Sequence, residues 1–161
     1  MLPKPQWAEV VPLLQHTPVS CGQTSCAMAI NALMSPNPSL DDYAISARYG
    51  FALLESLNSE CKPKYTWVDL FPNSIGKIKF TVDLWSKLTH ATENGFPIVI
   101  GLSGEFSITG HGHIILIYKI IGDQVTFADP AQGINRTVSK SRIEAGQGYP
   151  QGTFIFIAHK N

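Results

Sequence analysis

Long apolar runs are missing from this 161-residue chain. No stretch approaches the ~18 consecutive apolar residues of a membrane-spanning helix, so a membrane is not an expected partner. The opening Met1-Leu2-Pro3-Lys4-Pro5-Gln6 carries no apolar segment of the secretory kind. An excess of either charge is also missing: 12 Lys and Arg balance 12 Asp and Glu. Without a basic run or stripe, nucleic acid is not an expected partner either. Neither the P-loop nor the dinucleotide fingerprint occurs, and the Gly-x-Ser-x-Gly elbow is absent. Cysteine is scarce, at three residues. Three cannot all pair within one chain, which favours a reducing compartment or a role for a free thiol over a disulfide framework. None stands in a C-x-x-C pair, so no metal or other cofactor is expected. Charged residues make up only 15% against 44% hydrophobic ones, a balance that argues against disorder and for one folded domain over residues 1–161.

What is present centres on Cys21. The stretch Gln15-His16-Thr17-Pro18-Val19-Ser20 forms turns, and an Ala-rich apolar pattern follows the thiol at once. That predicts a helix over about 22–34 with the sulfur at its N-terminus. Unpaired N–H groups and the positive end of the macrodipole there favour anions, and thiolate is the reactive form of cysteine. Cys26 lies well round the helix from Cys21, and Cys26 and Cys61 read as core residues.

A nucleophilic thiol needs a base, and the base needs an orienting group. There are five histidines: His16, His90, His111, His113 and His159. Gly110-His111-Gly112-His113 precedes Ile114-Ile115-Leu116-Ile117-Tyr118, a buried-strand pattern, and the strand Gln124-Val125-Thr126-Phe127-Ala128 stops at Asp129-Pro130. A hairpin would bring the start of the first strand to the end of the second. His111 and His113, two apart, could both face Cys21. Parity sets a condition. With a two-residue turn at Gly122-Asp123, His113 and Asp129 point to opposite faces; an odd loop or a bulge puts them on one face.

The remaining pattern is coarser. Residues 1–20, with Pro3, Pro5, Pro12 and Pro18, read as extended, residues 1–14 being a leader ahead of the cysteine motif. Ser39 reads as the N-cap of a helix to about Arg48, and Thr81 as the N-cap of a helix that Gly95 ends. Residues 50–80 give only short pieces. Strands are expected over 96–102, 113–120, 124–129 and 153–158, with another over 132–138. Helices first and strands later predict an α+β fold, a helical half on a mostly antiparallel sheet.

These residues resemble the papain-like cysteine peptidases, most closely the bacteriocin-processing, double-glycine leader peptidase branch. The likeness rests on Gln15 six residues before Cys21-Gly22, on Met28 and Asn31 in the helix, on Gly112-His113 with its aliphatic strand, and on Phe127-Ala128-Asp129-Pro130. It implies a papain-like fold with Cys21 as nucleophile, His113 as base and Asp129 as orienting carboxylate. It also implies that Gln15 and the Cys21 N–H form the oxyanion hole. His113 takes the family position, leaving His111 to shape the cleft. The likeness implies cleavage of a protein or peptide after small residues, Gly-Gly above all. Trp85, Phe106 and Tyr149 are candidate walls of the channel that would select them.

Two settings fit a free-standing relative: peptide maturation, or a toxin or effector domain delivered into the cytoplasm of a rival bacterium. The second would require a cognate immunity protein over the cleft. Alternatives are another thiol-dependent acyl transfer, such as transpeptidation, amidation or peptidoglycan cleavage, and a binding domain that kept the fold. The expected compartment is a bacterial cytoplasm.

Overall fold

The computed structural model describes residues 4–72, 78–103, 112–146 and 153–161. The elements in order are α1 (Cys21–Leu33), α2 (Asp42–Tyr49), α3 (Leu53–Cys61), β1 (Tyr65–Asp69), α4 (Val82–Glu93), β2 (Ile98–Leu102), β3 (His113–Ile121), β4 (Gln124–Asp129), β5 (Ile134–Ser139), α5 (Lys140–Ala145) and β6 (Ile155–Lys160). The strands form one six-stranded sheet in the order β1-β6-β2-β3-β4-β5, and every pairing is antiparallel. The fold is α+β, helices packed on an antiparallel sheet, as expected. Among the described residues no helix is long and apolar enough to cross a membrane.

Both faces of the sheet are covered, because strand side chains alternate. Ile98, Ile100 and Leu102 join one core with Ile115, Ile117, Phe127 and the α4 residues Leu84, Trp85 and Leu88. Val99, Leu116 and Ala128 join the other, with Cys26, Ala27, Met28, Ala29 and Ile30 of α1. Strand β2 is therefore buried along its whole length, which explains its unbroken apolar sequence. Each large apolar side chain so buried contributes about 1.5–3 kcal/mol before conformational entropy is subtracted.

Helix α1 has no polar face. Residues Gly22 to Ile30 are all buried between the sheet and the other helices, so amphipathic spacing is not what identifies it. Small residues permit the close approach. A Cβ at Gly22 would lie 2.7 Å from a Leu53 methyl and 3.0 Å from one of Ile114. Thr81 caps α4 as expected, accepting from the Leu84 N–H at 3.1 Å, and Gly95 follows its end with φ +83. The N-cap of α2 is Asp41, which accepts from the Ala44 N–H at 2.9 Å, and not Ser39, whose φ is +52. Residues 50–80, the least legible part of the sequence, contain α3 and β1. The leader is pinned rather than loose: the Gln6 N–H donates to Glu93 O at 2.7 Å, and the Gln15 N–H to Pro130 O at 2.8 Å.

The β3–β4 hairpin resolves the parity condition. Ile121 pairs with Gln124, so the turn is the two-residue one, Gly122-Asp123. The register then shifts between Ile117 and Lys119, leaving Tyr118 as a bulge. Beyond it Leu116 faces Ala128. The same register sets Ile115 opposite Asp129, and His113, two residues earlier, shares the face of Ile115. The extra residue restores the parity that an even turn would break.

Candidate active site

Cys21 is the first residue of α1 and partly exposed. His113 opens β3 and is 4% exposed; Asp129 closes β4 and is 2% exposed. His113 Nε2 lies 2.7 Å from Asp129 Oδ1. Cys21 also acts on the ring, favouring its charged form. With Nε2 committed to the carboxylate, Nδ1 is the nitrogen left for the sulfur. Burial by itself would push the His113 ring down. The hydrogen bonds to Asp129 and Cys21, and the negative charge of both, outweigh it and raise the ring to about 9. Burial likewise opposes ionisation of Asp129, yet bonds from His113, Arg136 and the Ala131 N–H hold its carboxyl below the usual range. The arrangement is a charged imidazolium between a sulfur and a buried carboxylate, able to hold a thiolate and to hand a proton to a leaving group.

The other thiols are different. Cys26 is fully buried, and burial pushes it up to about 12; Cys61 is also buried and raised. Neither is poised to ionise near neutral pH.

Gln15 stands at the other side of the sulfur's loop. Its Nε2 donates to Thr17 O at 2.7 Å, and its Oε1 is buried without a partner among the described residues. An amide nitrogen has two hydrogens, so one remains for an oxyanion. A buried, unpaired acceptor is costly, and such costs concentrate at functional sites.

Arg136 was not anticipated. Its Nη1 donates to Asp129 Oδ2 at 2.9 Å, so both carboxylate oxygens are engaged. The signal was available: once β5 pairs with β4, Ile134 faces Asp129 and Arg136 sits two residues on, on the same face. Also missed was Asp42, a buried carboxylate that accepts from the His16 N–H at 2.8 Å, from the Ser20 hydroxyl at 2.6 Å and from His16 Nδ1. His16, Asp41 and Asp42 together offer three donor atoms within 4.8 Å of one another, the one such group among the described residues. Asp41 is occupied as a helix cap and Asp42 by its three donors. This is a hydrogen-bonded knot rather than an open ligand set.

The expected channel walls are only partly testable. His111, Phe106 and Tyr149 lie outside the described residues. Trp85 does not wall the Cys21 site. Its indole is buried in the core on the face opposite α1, donating to Glu144 Oε1 at 2.8 Å with Lys140 Nζ 5.3 Å from the ring centroid. The groove it does line, about 670 Å³, runs beside Val82, His90, Asp123 and Lys140 and includes none of Gln15, Cys21, His113 or Asp129. Trp85 lies on the buried side of α4, and that side faces the sheet, not the Cys21 site. His90 lies on the last turn of α4 and His159 near the end of β6, and neither is a hydrogen-bond partner of His113 or Asp129 among the described residues.

No curated protein matches the chain. Among solved structures, a C39-like peptidase from Bacillus anthracis superposes with a TM-score of 0.64 at 16% identity, covering 97% of this chain and 100% of that one. A double glycine motif protease from an AMS/PCAT transporter, solved with its leader peptide, gives 0.60 at 16%, covering 98% and 100%. The peptidase domain of Streptococcus ComA, a bifunctional ABC transporter of a quorum-sensing pathway, gives 0.59 at 13%, covering 93% and 98%. At these identities the likeness is one of fold. The sequence itself, over residues 7–151, matches the model of the Peptidase_C39 like family, and the chain belongs to that family of cysteine peptidases.

Proposed function

We propose that the chain is a thiol protease that cuts a protein or peptide after small residues, with Cys21 as nucleophile, His113 as acid and base, Asp129 as orienting carboxylate and Gln15 as oxyanion donor. The observation that carries the reading is the His113 ring, buried, 2.7 Å from Asp129, and drawn to its charged form by both Asp129 and Cys21. Cys21 thiolate attacks the scissile carbonyl carbon. The oxygen becomes negative and takes hydrogen bonds from the Cys21 N–H and the free N–H of Gln15. His113 gives its proton to the departing amine, leaving a thioester. It then removes a proton from water, which attacks the thioester and releases the acid. Asp129 keeps Nε2–H engaged, so Nδ1 remains directed at the reacting atoms.

The double-glycine preference has its support in the transporter-linked protease among the structural neighbours, which is named for that motif. The test is a peptide pair, one carrying Gly-Gly and one Ala-Leu at the cut position, with new termini read by mass spectrometry. Cleavage after Gly-Gly by wild type, and none by Cys21→Ala, is the expected result. Equal cleavage of both peptides would remove the small-residue preference; turnover by Cys21→Ala would remove the nucleophile.

A further inference from the structure

Between Gln15 and Cys21 the backbone has no regular structure. Both ends of this segment bear on the reaction as read above, so something must hold their separation. Gln15 is tied at its backbone to Pro130, next to Asp129. The rest of the segment is tied to one side chain. Asp42 Oδ2 accepts from the His16 N–H at 2.8 Å and from the Ser20 hydroxyl at 2.6 Å, and Oδ1 accepts from the His16 ring. Ser20 Oγ in turn accepts from the Thr17 N–H at 3.2 Å, and Thr17 O accepts from Gln15 Nε2 at 2.7 Å. One carboxylate thus grips the residue after Gln15 and the residue before Cys21. Its hold extends through Ser20 and Thr17 to the Gln15 amide.

Asp42 is not needed where it sits for the helix it opens. Asp41 caps α2, and Asp42 turns inward to 2% exposure. A buried carboxylate is retained only when its oxygens are well paired, and its donors among the described residues all come from the one loop.

We propose that Asp42 is a positioning residue for the peptidase reaction: it clamps residues 16–20 and so sets the place of the Gln15 amide relative to the Cys21 sulfur. This rests on the reading of Gln15 and Cys21 given above.

The test uses the full chain with Asp42→Asn and Ser20→Ala, the second deleting a single hydroxyl and carrying the test should the first unfold. Three quantities are measured: amide hydrogen exchange over 16–21, kcat and KM on a peptide that wild type cleaves, and the rate at which iodoacetamide labels Cys21. Both variants should exchange faster over 16–21 while the sheet stays protected. kcat should fall by roughly 10- to 100-fold with KM within about two-fold, as expected for a misplaced transition-state donor. Labelling should stay within about two-fold of wild type, because alkylation builds no oxyanion. Wild-type exchange or wild-type kcat in both variants overturns the clamp. A labelling loss that matches the kcat loss overturns it too, by putting the damage on the Cys21–His113 pair. If wild type cut no peptide, the peptidase reading would fall, and the exchange measurement would still decide for or against the clamp.

Discussion

At Cys21 and His113 the question is which partners hold the ring's proton. Two residues raise the ring's midpoint, Asp129 and Cys21. Cys21→Ala removes one, so the His113 midpoint should drop from about 9, as read by NMR titration of the ring; an unmoved midpoint would show that the sulfur is not a partner. His113→Ala should abolish turnover as fully as Cys21→Ala. Asp129→Ala should be milder, at ~10²–10⁴ in kcat, because the ring survives but loses its orientation. Arg136 acts one step further out. Arg136→Ala frees Asp129 Oδ2 and should cost about 10-fold in kcat, less than Asp129→Ala. A steady-state assay of the four variants checks the ranking, and an Arg136→Ala loss exceeding that of Asp129→Ala would contradict it.

The elements deliver these side chains through packing that tolerates little change. Gly22→Val would drive a branched side chain into Leu53 and Ile114, so it should lower the melting midpoint and detach the α1 N-terminus from β3. Trp85 offers the contrast. Trp85→Phe should keep kcat within about two-fold while lowering stability, since it weakens a core and its bond to Glu144 without touching the site. A large kcat loss with the fold intact would return Trp85 to the substrate channel. The bulge at Tyr118 matters in the same way. It is the one-residue adjustment that lets a two-residue turn coexist with His113 and Asp129 on one face.

For the molecule as a whole, pH links folding and chemistry. His113 has a raised folded value, so its contribution to stability is full below about 6.5 and is lost as pH rises through about 9. Asp129 and Asp42 are depressed, so their contributions are present above the usual carboxylate range of ~4 and are lost as pH falls below it. Denaturant midpoints should therefore fall away on both sides of neutrality. The basic limb of kcat/KM should also lie near 9, where the imidazolium loses its proton. A basic limb below pH 7 would contradict the ion pair.

The placement of Cys21 at a helix start and of His113 and Asp129 at strand ends was legible along the chain because local sequence dictates it. A turn before a small-residue helix marks Cys21, and strand ends mark His113 and Asp129-Pro130. The caps at Thr81 and Gly95 were equally local. What required the folded molecule was everything set by contacts distant in sequence. The sheet order, the second helical layer under Trp85, and the choice of Asp41 over Ser39 as cap belong here. So do the Arg136 bond to Asp129 and the grip of Asp42 on residues 16–20. Hydrogen bonds across 26 positions leave no periodic trace in a sequence, and only tertiary packing decides which carboxylate a loop will meet.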